Sequence, residues 1–293
     1  MDSRILITGG QGQLAYDLKA QFATDSVLSP SRSDLDIRDA GAIAAVFESF
    51  RPTVVINTAA FHRVDACEAD PESSFAVNAA APQRLAAGCR DAGALLVHIS
   101  TDYVFAGDKC RPYRESDPIN PLSVYGASKA AGEMAVRCTL DRHLIVRTTG
   151  LYGIGGRFSA HGNFVERMLQ LAEERREISV VADQVLTPSY TRDVAASIAM
   201  LIEAGVAGTF HVTNSGHCSW FEFATQIFCL AGLDTRILPT SQAERPQPAR
   251  RPAYSVLGHE RLISCGLAEL RPWQEALDAY IHERGSCRRN VFD

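Results

Sequence analysis

Apolar positions along the chain follow two alternating rhythms. Short unbroken runs, Arg4–Thr8, Thr53–Asn57, Leu95–Ile99 and His143–Arg147, have the length and branched-residue content of strands buried on both faces. Ser26–Pro30 is a weaker run of the same kind. Between the runs, apolar residues recur every three or four positions, the period of a helix face. Leu14, Leu18 and Phe22 follow the first run; Ala40–Phe50 precedes the run at 53; a long pattern opens at Asp70-Pro71-Glu72, carries Asn78 and reaches about Ala92. Asn120-Pro121 opens another, with Asn as N-cap and Pro at the first helical position. Strand, helix, strand in repetition predicts an α/β fold: a Rossmann-type doubly wound parallel sheet.

The rhythm loosens at the glycine-rich stretch Gly153–Gly162, where the role of the chain is expected to shift. Asn163–Leu171 is an amphipathic helix. A helix from Tyr190 to about Glu203 and a strand Gly208–Val212 are expected to return to the first sheet. Ser219-Trp-Phe-Glu222 is a capping box, with Trp220 and Phe223 expected in the core. Pro272–Tyr280 is a closing helix, and the tail Ser286–Asp293 is expected to fray. The resulting division is residues 1–160 as a dinucleotide-binding domain, to which 187–213 returns, and 161–293 as a smaller, interleaved C-terminal substrate-binding part.

Composition narrows the function. The chain has 293 residues, 46% hydrophobic and 22% charged, as in a soluble globular protein. A net charge of −5 gives no reason to expect nucleic acid or an anionic membrane. The first residues run straight into a strand, and no apolar run is long enough to span a bilayer. Eight cysteines without a CxxC pair and eight histidines without an HExxH spacing suggest reduced thiols, no metal and a cytoplasmic location.

Candidate chemistry then falls at the ends of the strands. Gly9-Gly-Gln-Gly12-Gln13-Leu14-Ala15 joins the first strand to a helix, the context in which a dinucleotide is held. Glycines allow a tight turn and close approach to a pyrophosphate, and the helix N-terminus offers free N–H groups. A glycine turn with no ligand is the plain alternative. Near the second strand Arg32 stands where an acidic residue would favour NAD, so NADPH is expected, with NADH the alternative. Ala59 and Ala60 are small enough for the backbone to lie close to cofactor phosphates and ribose. Tyr125-Gly-Ala-Ser-Lys129 places a phenol and an ammonium one helical turn apart. An ammonium beside the phenol is expected to lower its pKa, so that it can protonate a carbonyl oxygen as hydride reaches the carbon. Thr101 closes the run at 95 and could bond the same oxygen. YxxxK alone occurs by chance on many helices; the other matches give it weight.

These segments together resemble the dTDP-4-dehydrorhamnose reductase family of the extended short-chain dehydrogenase/reductase superfamily. The resemblance runs from Ile5 to about Ala279 and rests on the glycine turn, Asn57-Thr-Ala-Ala60 with Val64-Asp65 and Glu68, Thr101-Asp102-Tyr103-Val104-Phe105, YxxxK and Asp183-Gln184. It implies NADPH-dependent reduction of the C4 ketone of a dTDP-6-deoxy-4-hexulose to dTDP-L-rhamnose. Thr101, Tyr125 and Lys129 would be the catalytic set. Cofactor contacts would come from Gly9, Gly12, Gln13, Leu14, Arg32, Ala59, Ala60, Tyr125 and Lys129, with Asp36 and Ile37 at the adenine ring. Substrate contacts would come from Asp102, Tyr103, Phe105, Asn163, Gln184 and Arg251, the last offering a guanidinium fork to the diphosphate. His62, at a family threonine, is given no chemical role. Related 4,6-dehydratases carry Asp-Glu where this chain has Asp102-Tyr103, so dehydration lacks its partner. Gly150 stands where the family commonly has a tryptophan near the sugar, which leaves another nucleotide-sugar reductase or epimerase open. A non-catalytic regulatory subunit similar to the methionine adenosyltransferase beta subunit is a further alternative. Some members are metal-linked dimers through glutamates that have no match here; a homodimer without metal is allowed.

Overall fold

The structure, a computed structural model, describes residues 3–158 and 162–289, except for the side chains of 287–289. Among the described residues the centre is a six-stranded parallel sheet in the order β10-β5-β4-β3-β1-β2. The strands are β1 (Ile5–Thr8), β2 (Val27–Leu28), β3 (Val54–Asn57), β4 (Leu95–Thr101), β5 (His143–Thr148) and β10 (Gly208–His211). Crossovers are helical: α1 (Gln13–Lys19), α2 (Ala40–Phe50), α3 (Val64–Ala69), α4 (Pro71–Phe75), α5 (Ala81–Ala92) and α6 (Val124–Thr139). Short strands β6 (Leu151–Tyr152), β8 (Val185–Leu186) and β9 (Ser189–Tyr190) surround α7 (Phe164–Glu174) and β7 (Glu177–Val181). Then α8 (Thr191–Glu203) leads into β10, and β11 (Cys218–Ser219), α9 (Trp220–Ala231), β12 (Arg236–Thr240), α10 (Glu260–Ser264) and α11 (Trp273–Arg289) complete the fold. Residues 290–293 of the expected frayed tail, and 159–161 of the glycine-rich stretch, lie outside the described residues.

The sheet is apolar on both faces, as its unbroken runs require. Ile5, Ile7, Val97, Val146 and Phe210 meet Leu14, Leu18, Val194 and Ile198 on one side. Leu6, Val55, Leu96 and Ile145 meet Ile43, Leu85, Cys89 and Val136 on the other. A separate core holds the second lobe, with Tyr152, Tyr190, Phe223, Trp273 and Tyr280 among its buried residues. The chain enters that lobe after β6 and returns through α8 to lay β10 beside β5, register Gly208 to Leu144.

Two expected helices change shape. The pattern from 70 to 92 is not one α-helix: α4 and α5 are joined by a π-helical turn, Ala76–Ala80. That turn brings Asn78 inward, where its side chain holds both the N–H and the C=O of Phe61 at 2.9 Å. The helix at 120 starts later. Asn120 gives its N–H to the Val104 carbonyl (2.8 Å), which ties the segment to the turn after β4. Ser123 is the N-cap of α6, accepting from the Gly126 N–H (3.2 Å), and the Glu68 carboxylate accepts from the Val124 N–H (2.8 Å). An anion at a helix N-terminus is favourably placed. Gly126 and Gly132 let α6 sit against the Tyr103 and Asn78 carbonyls, where a Cβ would collide.

Candidate active site

A cleft of about 510 Å³ opens at the C-terminal ends of β1, β3, β4 and β5 and is closed on the far side by the second lobe. Ligands of open parallel sheets bind at this end of the strands. Gly12, Gln13, Leu14 and Ala60 form one end; Thr101, Asp102, Tyr103, Tyr125 and Lys129 form a wall; Gly150, Gln184, Leu186, Trp220 and Ser255 face them.

At the glycine turn, Gly9 has φ +71°, and a Cβ there would lie 2.8 Å from the Ala59 nitrogen. Gly9 and Ala59 therefore pack on each other just behind the lining. Gly12 is the N-cap of α1, and no side chain caps that helix and no acidic residue stands in its first turn. Its leading N–H groups are left for an outside acceptor, and the donor set fits a pyrophosphate. Gln13 turns its amide to the Leu151 carbonyl (3.1 Å). Arg32 is exposed beyond β2, near enough to Asp36 to draw its carboxyl down. Asp36 itself is held at about 2, chiefly by the Arg38 guanidinium that grips it at 2.5–3.0 Å. Ile37 is buried in the core. None of these three is part of the cleft's lining.

The wall that carries the candidate catalytic residues joins β4 to α6. Thr101 ends β4 beside Thr148 of β5. Tyr125 stands in the first turn of α6, its ring edge-on to Tyr103 with centroids 5.7 Å apart. Lys129, one turn later, is buried and donates to the Ile99 carbonyl at 2.5 Å. Burial pushes its ammonium down to about 8, opposed by the charge of Glu133. Glu133 has no exposed surface and takes bonds from Ser100 (2.6 Å), from Arg147 (2.8 and 2.7 Å) and from Arg137 (2.9 Å). Although burial works to raise it, these bonds and the two guanidinium charges hold its carboxyl below the usual range.

The expected acidification of the phenol is not what the structure shows. Burial pushes the Tyr125 phenol up, and the Thr101 hydroxyl only partly offsets it, with Asp102, Tyr103 and Cys67 pushing further up. The ammonium that was to lower it is engaged with the Ile99 carbonyl. Desolvation wins over charge here, so Tyr125 holds its proton firmly at neutral pH.

The substrate residues divide. Asp102, Tyr103 and Gln184 line the cleft. Phe105 does not: it is fully buried, stacked on Tyr113 at 4.3 Å with the Arg147 guanidinium over its ring. The apolar step from Val104 to Phe105 points away from the cleft, into a small core of its own. Asn163 is the N-cap of α7, accepting from the Glu166 N–H (3.0 Å) and donating to the Gly153 carbonyl (3.1 Å). Its helix-capping position takes it off the lining. Arg251 pairs with Asp65 at 2.8 and 3.2 Å, and only its neighbour Pro252 reaches the cleft. Trp220, expected in the core, packs against the core of the second lobe and also borders the cleft, with Phe164 at 4.4 Å between ring centroids. The capping box put it in the first turn of α9, at the open end of the helix, and that was the available sign. Thr149 and Ser255 also line the cleft and had no motif to mark them. His62 lines it too. No described group of His, Cys, Asp and Glu could hold a metal, and no described helix is long and apolar enough to cross a membrane.

Comparison with known proteins places this geometry. A family model described as the RmlD substrate binding domain matches residues 3–285. The chain is 41% identical to the spore coat polysaccharide biosynthesis protein SpsK of Bacillus subtilis (97% of this chain, 99% of the relative). It is 42% identical to a dTDP-4-dehydrorhamnose reductase of Streptomyces griseus (94% and 91%). Its backbone superposes on the crystal structure of dTDP-4-dehydrorhamnose reductase from Bacillus anthracis in complex with NADP with a TM-score of 0.92, at 38% identity, covering 97% of this chain and all of the other.

Proposed function

The chain belongs to the RmlD substrate binding domain family, and from that premise we propose that it is an NADPH-dependent reductase of the C4 ketone of a dTDP-6-deoxy-4-hexulose, yielding dTDP-L-rhamnose. The observation that carries the reading is a single cleft with the uncapped end of α1 at one side and Thr101, Tyr125 and Lys129 on one wall. NADPH, when bound, supplies the hydride that reduces C4.

The residues of the chain do the rest. Gln13 and Leu14 offer backbone N–H groups to the pyrophosphate, while the Gly12 N–H closes the turn on the Gly9 carbonyl (2.8 Å), and Arg32 offers its guanidinium to a 2′-phosphate. Lys129 would hold the nicotinamide ribose with its ammonium. Tyr125 gives its proton to the C4 oxygen, assisted by the Thr101 hydroxyl. A phenol with a raised pKa is a weak acid toward water but a sufficient one toward an alkoxide, which is far more basic. Asp102, Tyr103 and Gln184 border the sugar.

The test is NADPH oxidation with the dTDP-4-keto sugar. Tyr125→Phe is expected to lower turnover at least ~100-fold, the scale of a lost general acid; near-normal turnover in that variant removes Tyr125 from the mechanism. Gly150 supports a second reading, a different nucleotide 4-keto sugar. Its φ is +54°, so the tryptophan common in the family would be strained in this backbone and would have to displace the Leu186 side chain, 2.8 Å from where its Cβ would lie. A panel of nucleotide 4-ketohexoses separates the two by relative kcat/KM.

A further inference from the structure

The reaction as written leaves one carboxyl group beside Tyr125 without a task in proton transfer. Asp102 borders the cleft but is 2% exposed. Its Oδ1 lies 3.0 Å from Thr101 Oγ1; Oδ2 is buried with no partner in good hydrogen-bond geometry, although the Ser255 and Thr149 hydroxyls stand near enough to act on the carboxyl. Thr101 Oγ1 also accepts the Tyr103 N–H at 3.2 Å and lies close enough to Tyr125 to act on its phenol by hydrogen bonding. A hydroxyl has one proton and two lone pairs. If Asp102 is a carboxylate, Thr101 spends that proton on it. If Asp102 is an acid, it donates to Thr101, Thr101 donates to Tyr125, and Tyr125 is left to donate into the cleft. The protonation of one buried carboxyl thus sets the direction of the whole chain.

We propose that Asp102 is the terminal acid of a proton relay, Asp102 to Thr101 to Tyr125, which restores the Tyr125 proton as that proton passes to the C4 oxygen. The proposal rests on the reductase reading. In balance, the ketone carbon gains a hydride from NADPH, which leaves as NADP+, and the ketone oxygen gains the Tyr125 proton. The Tyr125 oxygen takes the Thr101 proton, Thr101 takes that of Asp102, and the Asp102 carboxylate is reprotonated from water. One hydride and one proton are added to the substrate.

The surroundings favour the acid. Burial pushes the Asp102 carboxyl up to about 6, against the hydroxyls of Ser255, Thr149 and Thr101 that hold it down. The phenols of Tyr103 and Tyr125 face it; the Arg251–Asp65 pair lies beyond Tyr103; Lys129 directs its charge to Ile99. A substrate that expels water from the cleft pushes the same way. Because reduction needs the acid form, kcat is full below this pKa and declines as pH rises through it.

The test combines infrared titration with steady-state kinetics on the full chain. The wild type should show a protonated-carboxyl C=O band that titrates near pH 6 and is absent from Asp102→Asn. In that variant kcat should fall ~10–100-fold, KM should change little, and the decline of kcat through the Asp102 titration should vanish. Thr101→Val, which keeps the carboxyl but cuts the chain, should flatten the same limb, and Thr101→Ser should restore it; this arm stands if Asp102→Asn does not fold. A raised KM with kcat and its pH limb intact would make Asp102 a binding group only and overturn the relay. So would the absence of the infrared band, with reductase activity intact. A band without turnover on any nucleotide 4-ketohexose fells the reductase reading, and the relay with it.

Discussion

Replacing Glu133 by Gln should damage the fold and the site together. The carboxylate has no exposed surface and is the shared acceptor of Arg147, itself 2% exposed, and of Arg137 and Ser100, all between 2.6 and 2.9 Å. Gln keeps the shape but leaves the Arg147 guanidinium buried without its counter-charge. Breaking such a pair from one side typically costs ~3–5 kcal/mol. Against a total stability of ~5–15 kcal/mol this is a large fraction. At ~2–4 °C per kcal/mol for a domain of roughly this size, the melting temperature should fall by on the order of 10 °C. Urea titration should show the midpoint moving at constant slope. The mechanism makes a sharper demand. Arg147→Met alone should also destabilise, but Glu133→Gln combined with Arg147→Met should cost less than the sum of the two, since neither charge is then left alone. A melting temperature within ~2 °C of wild type for Glu133→Gln, or strict additivity in the double variant, would refute the reasoning.

Three other predictions concern NADPH binding. Lys129 sits at about 8 rather than the ordinary lysine value, so its charge is present below that pH and lost above it; NADPH affinity, followed by fluorescence titration, should weaken as pH rises from 7 to 9, and in Glu133→Gln the weakening should begin at lower pH. Arg32→Ala should raise the Kd for NADPH by roughly tenfold, about the 1.4 kcal/mol of one charge-assisted contact, and leave NADH nearly unchanged; equal effects on both would remove Arg32 from the 2′-phosphate. Gly9→Ala combines a left-handed backbone with a Cβ 2.8 Å from the Ala59 nitrogen, so it should lower thermal stability and abolish measurable NADPH binding by displacing the turn.

The parallel sheet was legible because its strands are unbroken apolar runs and the helices between them keep their period. The return of Gly208–Val212 to that sheet was equally readable from pattern and length, and β10 takes that place beside β5. What the pattern could not carry was direction. Val104-Phe105 continues the active-site motif in sequence, yet the short 3-10 turn after Thr101 sends Phe105 into a core with Tyr113. Asn120-Pro121 has the composition of a helix start, but a backbone bond to Val104 takes the segment before the helix can begin. The π-turn at Ala76–Ala80 has no compositional mark at all; it exists because Asn78 must reach Phe61 while Leu85 and Cys89 still face the sheet. The raised pKa of Tyr125 is not legible in the sequence, because spacing shows where charges stand along the chain, not how much water a closed fold removes from them.

The position of β10 has a consequence for how such a protein can be built or divided. The sixth strand of the sheet comes from residues 208–211, and the whole of α7 to β9 lies between it and its neighbour β5. A fragment ending near residue 160 would therefore present β5 as a raw edge, with unpaired backbone groups open to any extended chain. During synthesis that edge stays uncovered until some fifty more residues have been made. The second lobe draws on residues both before and after β10, so exchanging it between relatives would take three junctions rather than one, and a single crossover would graft a foreign strand into the host's sheet.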